Sequence, residues 1–335
     1  MSREGRRALA EVLGQAEQVL REAGVWAPRG DAEALAAAAL GCLGSALPPG
    51  EPVSAEIADR IREMVGRRAA RVPLAHITGR ARLGGIEVAV GQGVFVPRRQ
   101  SEPFVVWALH AVSRLRRPVV IDLCTGSAAI ALAVAHARPD ATVRAVDVEP
   151  TSLDCARRNA RDRAGAGDTP VTVVAGDVTD PTLLAELAGS VDLVLANPPY
   201  VPEGVTLLPE WSVHHPSTAI YGGPDGLDLI RHVVRRAETL LRPGGGSPSS
   251  TTTTTRSLCA ACSHSVVRSR RSKVTTIRTA CPGGRPGNAP GPAWRRSLDG
   301  TGRDRSGRDA PSRLGVRPPG APQCELDPSQ GGQDL

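Results

Sequence analysis

From residue 118 onward the chain alternates β-branched runs with apolar helical stretches, and this alternation restricts the fold more than any other feature. Val119-Val120-Ile121-Asp122-Leu123 predicts a strand and Ala128 to Ala137 a helix. Thr142 to Val148 predicts a strand, Ser152 to Arg163 a helix, Val171 to Ala175 a strand and Pro181 to Leu187 a helix. Val191 to Ala196 predicts a fourth strand, and Leu227 to Leu241 a helix stopped by Pro243 and three glycines. Parallel strands need crossover connections, and intervening helices supply them. The pattern predicts an α/β fold, a doubly wound and mostly parallel sheet that binds ligands beyond the carboxyl ends of its strands.

The upstream quarter has a different period. Ala8 to Ala23 carries apolar residues at helical spacing, Asp31 is placed to cap the Ala-rich run Ala32 to Leu43, and Ser54 to Arg71 is a third amphipathic stretch. Pro48, Pro49 and Gly50 separate the second from the third. Short β-like runs follow, Gly85 to Val90 and Val94 to Val96, with Gly91 and Gly93 placed to turn a hairpin between them. The expected organisation is a helical bundle over residues 1–80, a hairpin and linker over 81–117, a catalytic α/β domain over 118–246 and a tail over 247–335.

The tail accounts for the basic character. The formal net charge is +7, yet residues 1–246 sum to −1 and residues 247–335 to +8. The neutral body needs no polyanionic partner, which argues against a nucleic-acid groove. The N-terminus has charges throughout and no apolar h-region. The most apolar run, Val119 to Ala135, holds Asp122 and Gly126 and reads as strand, turn and helix rather than a membrane span. A reducing cytoplasm with free thiols is the expected setting.

Two loops carry chemistry. Asp122-Leu123-Cys124-Thr125-Gly126-Ser127-Ala128 follows the first strand and opens a helix, and small residues there let a ligand approach the backbone. With one glycine and no lysine it is neither a dinucleotide fingerprint nor a phosphate loop. An acidic residue ending the first strand repels a pyrophosphate but suits a cation, so Asp122 fits adenosylmethionine, which carries a sulfonium and an ammonium. Asp147, ending the second strand, is placed to accept from both ribose hydroxyls. Asp177 and Val178, after the third strand, are placed to border a base. The plainer alternative is an ordinary strand–turn–helix with a satisfied Asp.

The second loop, Asn197-Pro198-Pro199-Tyr200, follows the fourth strand. The prolines stiffen the backbone and remove N–H donors, leaving carbonyls that can be aimed. The Asn197 amide oxygen and the Pro198 carbonyl can together hold both hydrogens of a substrate –NH₂ and turn its lone pair toward an incoming methyl group. Tyr200 can stack on a planar substrate group. The plainer alternative is a tight turn after a strand.

With these loops, residues 8 to 246 resemble class I adenosylmethionine-dependent methyltransferases, and more finely the HemK-type peptide chain release factor glutamine N5-methyltransferases. Pro73 to Gly79, Phe95-Val96-Pro97-Arg98-Arg99-Gln100-Ser101-Glu102 and Ala219-Ile220-Tyr221-Gly222-Gly223-Pro224-Asp225-Gly226-Leu227 carry the finer match. The resemblance implies a Rossmann-like fold, S-adenosyl-L-methionine as cofactor, and methyl transfer to the glutamine of a Gly-Gly-Gln loop in a release factor, by a monomer and without metal. It implies cofactor contacts from Cys124, Thr125, Gly126, Ser127, Ala128, Asp147, Val178 and Asn197. The substrate site falls on Asn197, Pro198, Pro199 and Tyr200. Cys124 and Ala128 stand where the family usually has Gly, Arg99 replaces a Pro, and His215 replaces an acidic residue. These changes are compatible with a paralogue acting on another protein.

After Gly246 the strand–helix grammar stops. The resemblance implies a fifth strand there; the chain reads Ser247-Pro248-Ser249-Ser250-Thr251-Thr252. Regrouping GC-rich codons for that run by one base yields Leu-Ala-Val-Glu-His-Asp-Asp, a strand-like reading. Residues from about 246 are therefore expected to be translated out of frame, and, as written, to be disordered. The fourth strand is then expected to expose an edge, and the chain to fold poorly or lack activity. Cys259-Ala260-Ala261-Cys262 with His264, the basic cluster Arg268 to Lys273 and Gly331-Gly332-Gln333 are read as coincidences of composition, and His214-His215 as loop polarity. Two other functions stay open: an amino-directed DNA or RNA methyltransferase, and an inactive truncated product with a basic RNA-binding tail.

Overall fold

The computed structural model of the chain describes residues 7–42, 52–243, 263–269 and 272–279. The expectations placed on Cys259, Cys262, Gly331, Gly332 and Gln333, and on residues 247–262 and 280–335 generally, lie outside these residues.

The bundle is built from α1 (Leu9–Glu22), α2 (Pro28–Ala39), α3 (Ala55–Ala69) and the short α4 (Leu74–Thr78), with two-residue strands β1 (Arg7–Ala8) and β2 (Pro52–Val53) pairing beside it. Leu9, Val12, Leu13, Ala16 and Leu20 share one face of α1 and pack against Leu35, Ala36, Ile61 and Val65. Ser54 caps α3, its Oγ accepting from the Ile57 N–H at 3.3 Å. Asp31 does not cap the second helix. Pro28, suited to a first turn, starts α2 earlier, and the Asp31 carboxylate accepts instead from Arg68 Nε at 2.7 Å.

The hairpin also lies earlier than its sequence suggests. It pairs β3 (Arg80–Leu83) with β4 (Ile86–Ala89) across Gly84-Gly85, and Val94 to Val96 forms no strand. Both turn glycines have positive φ, +58° and +81°, as a two-residue hairpin turn requires. A Cβ at Gly84 would sit 2.5 Å from the Ala133 Cβ, so this glycine also sets how closely the hairpin approaches the sheet's helical layer.

Next come α5 (Glu102–Ala111), β5 (Val119–Leu123), α6 (Ala129–Ala137), β6 (Thr142–Asp147), α7 (Pro150–Gly165), β7 (Thr172–Ala175), β8 (Leu193–Ala196), the one-turn α8 (Pro209–Ser212) and α9 (Asp228–Leu240). Strands β5 to β8 are parallel in the order β8-β5-β6-β7. Alternate strand residues face opposite ways. Val120, Val143, Leu193 and Leu195 pack with α5, α6 and α7, whereas Ile121, Leu123, Val194 and Ala196 pack with α9. This is the doubly wound architecture expected.

Two expectations fail here. Pro181 to Leu187 is not an α-helix but a turn with a single 3₁₀ turn at Ala185–Leu187. The Asp180 carboxylate takes the Thr182 N–H and hydroxyl, both at 2.7 Å, and this local bond competes with helix formation. Nor is β8 an edge. Strands β9 (Ser263–Ser269) and β10 (Ser272–Thr279) form an antiparallel hairpin, and β9 pairs antiparallel with β8, opposing Val266 to Ala196. The β-branched runs Val266-Val267 and Val274-Thr275-Thr276-Ile277 suit strands, although the segment lacks the helix–strand grammar of the body.

Candidate active site

In the parallel register Leu123 lies opposite Val146 on one side and Ala196 on the other, so the loops leaving β5, β6 and β8 emerge together. They open onto a cleft. Of the residues expected there, Cys124, Thr125, Gly126, Ser127, Asp147, Asp177, Val178, Asn197 and Pro199 line it. Asp122, Ala128, Pro198 and Tyr200 are not among the residues that line it.

The position of Asp122 explains the β5 loop. Its side chain is buried beneath the loop, where Oδ2 accepts from the Thr125 hydroxyl at 2.5 Å and Oδ1 has no hydrogen-bond partner among the described residues. Burial raises its pKa to about 7, opposed by the Thr125 hydrogen bond. Two further groups hold the loop. Asp147 Oδ2 accepts from the Gly126 N–H at 2.8 Å, while Oδ1 accepts from the Val148 and Glu149 N–H groups at 3.0 Å. Asn159, buried on α7, donates to the Ser127 carbonyl and to the Ala89 carbonyl, each at 2.9 Å, and accepts from the Ala89 N–H at 2.8 Å. The loop bends through positive φ at Cys124 (+57°), Gly126 (+59°) and Ala128 (+64°). Two of these three carry side chains, so the turn is strained where glycine would not be. Burial, and the nearby Asp147, Asp122 and Asp177, push the Cys124 thiol up, and it stays neutral.

The β8 loop is held by packing. Pro198 and Pro199 are buried, and Asn197 faces the cleft. Against the loop lies the turn around residues 222–226. A Cβ at Gly226 would meet the Tyr200 carbonyl oxygen at 2.3 Å, and one at Gly222 the Pro199 carbonyl oxygen at 2.7 Å. The Tyr200 and Val201 N–H groups both donate to the Ile220 carbonyl, at 3.2 and 2.9 Å. The Gly-Gly-Pro-Asp-Gly segment is thus the platform on which Asn197 to Tyr200 rests.

The far wall comes from residues given no individual role by the sequence. Phe95, Pro97, Arg98 and Ser101 line the cleft from the segment before α5. Glu102 anchors that segment, both carboxylate oxygens accepting from the Gly84 N–H at 3.0 and 3.1 Å. His215 is not loop polarity. It is buried, tilted against Phe95 with ring centroids 5.3 Å apart, and stacked on Trp211 at 5.0 Å and 20°. Burial lowers its pKa to about 4. Its signal in the sequence was only the nearby Trp211, too weak to find it. Asn159 had a better one: it occupies the helical face of α7 shared with Ser152, Cys155 and Ala156.

The family description "PrmC N-terminal domain" matches residues 11–79, and "Methyltransferase small domain" matches residues 99–208. The release factor glutamine methyltransferase of Mycolicibacterium smegmatis is 46% identical over 236 residues, covering 70% of this chain and 82% of the relative. That of Mycobacterium tuberculosis is 45% identical over 240 residues, covering 70% and 77%. The chain belongs to the release factor glutamine methyltransferase family. A third relative in the family, from Streptomyces coelicolor, is 46% identical over 243 residues, covering 70% of this chain and 82% of its own. Among the described residues, no helix is long and apolar enough to cross a membrane.

Proposed function

We propose that the chain transfers a methyl group from S-adenosyl-L-methionine to the side-chain amide nitrogen of the glutamine in a release factor's Gly-Gly-Gln loop. The observation that carries this reading is the shared exit of the β5 and β8 loops, which brings Asn197 and Gly126 to one cleft. The cleft suits the cofactor in kind: Asp147, Glu149 and Asp177 favour a cationic ligand rich in hydroxyls, and Val146 and Val178 offer an apolar surface for a base. When bound, the cofactor supplies an electrophilic methyl group.

The chain's own residues do the rest. Asp147 accepts ribose hydroxyls with oxygens already oriented by three backbone N–H groups. Cys124 to Ala128 shape the floor, and Val178 borders the base. Asn197 and the Pro198 carbonyl accept the two amide hydrogens and turn the nitrogen lone pair toward the cleft, while Pro199 and Tyr200 complete the substrate side. An amide nitrogen is a poor nucleophile, so the rate rests on positioning and on exclusion of water. The family relatives support a release factor as substrate.

In this reading the bundle recognises the substrate protein, the enzyme acts as a monomer, and it meets its substrate in the cytoplasm. Residues from about 246 are an out-of-frame translation beginning in the glycine run Gly244 to Gly246. Sequencing genomic DNA across codons 240–260 tests that point, and a confirmed recorded frame refutes it.

The activity is tested by incubating the full chain with methyl-labelled adenosylmethionine and, separately, a release factor or DNA and RNA. Label is expected in the release factor. Label confined to nucleic acid would favour the amino-directed nucleic-acid reading instead.

A further inference from the structure

We propose that Glu210 is a positioning residue: through it the N-terminal bundle braces the segment 209–221, and that segment sets the place of the loop carrying Asn197 and Tyr200. The effect on methyl transfer rests on the proposed function; the brace itself does not.

Four charged side chains meet where the bundle faces α8. Arg68 lies in the last turn of α3 and Arg71 just beyond it, Asp31 belongs to α2 and Glu210 to α8. Arg68 donates from Nη1 to Glu210 Oε1 at 3.3 Å and from Nε to Asp31 Oδ2 at 2.7 Å. Arg71 Nε lies 2.7 Å from the same Glu210 oxygen, while its Nη1 donates at 2.6 Å to the Gly24 carbonyl, just past the end of α1. Through the two arginines Glu210 is thus tied to α1, α2 and α3. The position after a helix favours glycine, yet Arg71 takes φ +68° there, and its side-chain contacts offset that strain. The Glu210 side chain is only 12% exposed, and its Oε2 has no hydrogen-bond partner among the described residues. A carboxylate so shielded needs its charge offset by partners, and Arg68 and Arg71 supply that.

From Glu210 the constraint runs to the β8 loop through short bonds. The Glu210 carbonyl lies 2.8 Å from His215 Nδ1, and the His215 ring stacks on Trp211. The Ala219 N–H donates to the Pro216 carbonyl at 3.0 Å, and the Tyr221 N–H to the Ser217 carbonyl at 2.9 Å. The Ile220 carbonyl then accepts from Tyr200 and Val201. Pro216, Thr218 and Ala219, within this run, line the cleft. A contiguous series of hydrogen bonds and packed rings can carry a displacement from one end to the other. The β5 loop takes its polar bonds from Asp122, Asp147 and Asn159 instead, so the brace acts on one side of the cleft.

The test is amide hydrogen exchange on the full chain, read by mass spectrometry, for the unaltered protein, Glu210→Gln and Glu210→Asp. Glu210→Gln is expected to speed exchange at Tyr200 and Val201 at least about tenfold, the scale of one lost charge-assisted hydrogen bond, and to leave Gly126 within about twofold. Glu210→Asp keeps the charge and should recover part of the protection; it carries the test if the Gln variant fails to fold. In methylation assays with a release factor, kcat of Glu210→Gln should fall at least about tenfold, while the Kd for adenosylhomocysteine changes less than about twofold. Equal acceleration at Tyr200 and Gly126, or none at either, would overturn the inference. So would faster exchange at Tyr200 with kcat unchanged. Faster exchange confined to Tyr200 and Val201, in a chain whose unaltered form methylates no release factor, would uphold the brace and refute the proposed function.

Discussion

The loops leaving β5 and β8 bound the same cleft but are held by different physics. The β5 loop depends on polar groups that reach in from neighbours: Asp122 to Thr125, Asp147 to Gly126 and Asn159 to Ser127. Those bonds hold it in a left-handed bend even where Cys124 and Ala128 stand in place of glycine. The β8 loop is fixed by two buried prolines and by glycines so close behind it that no Cβ fits. The β5 loop therefore holds side chains at the cost of strain, whereas the glycines behind the β8 loop leave no room for any. In the proposed function the β8 loop aims two carbonyl-type acceptors at one nitrogen, a task that gains most from steric rigidity.

The largest expected effect separates chemistry from scaffold on the β8 side. Asn197→Ala should lower the methylation rate by about 10²–10³, the cost of one positioned transition-state partner, with little change in melting temperature. Full retained activity would remove Asn197 from the site.

Next is the platform. Gly226→Ala forces a Cβ to 2.3 Å from the Tyr200 carbonyl at φ +74°, and should cost about 2–4 kcal/mol in denaturant unfolding and most of the activity. An unaffected variant would mean the platform yields.

On the β5 side the sharper probe is pH. An unfolded Asp ionises near 3.8, but Asp122 stays protonated in the fold to about 7. Its contribution to stability is therefore lost as pH rises from about 4 to 7. Asp122→Asn should remove this slope, adding on the order of 1–3 kcal/mol at pH 8 and nothing at pH 4. His215 runs the other way: an unfolded histidine titrates near 6.5 and the buried ring near 4, so its contribution is lost as pH falls through that window. Thermal melts across pH check both signs. The smallest effect is relief of strain: Cys124→Gly should stabilise by about 0.5–1 kcal/mol, and Ala128→Gly, which also removes a buried methyl, by less.

Much of this was legible in the sequence because it is written in period and punctuation. The four parallel strands, the helices α6, α7 and α9 and the two loops at the strands' carboxyl ends follow from alternation and from Asp, Gly and Pro placed at strand ends. What was not legible depends on distant partners. Asp122 reads as a ligand contact, yet it is turned inward to Thr125. Glu210, Trp211 and His215 lie in a loop without periodicity, and they gain meaning only when Arg68, Arg71 and Arg98 are brought to them. The hairpin shifted because Arg80-Ala81-Arg82-Leu83, with its long basic side chains, conceals a plain alternation of exposed and buried residues. The β9–β10 pairing is hidden in the sequence because the short β-branched runs Val266-Val267 and Val274 to Ile277 lie among Ser, Arg and Gly without the helix–strand alternation of the body.

The most direct test of the central claim is fragment mass spectrometry of a release factor after incubation with the full chain and adenosylmethionine. The account predicts one added methyl group on the side-chain nitrogen of the Gly-Gly-Gln glutamine, absent with Asn197→Ala. An unmodified glutamine, with adenosylmethionine bound and Asn197 intact, would contradict it.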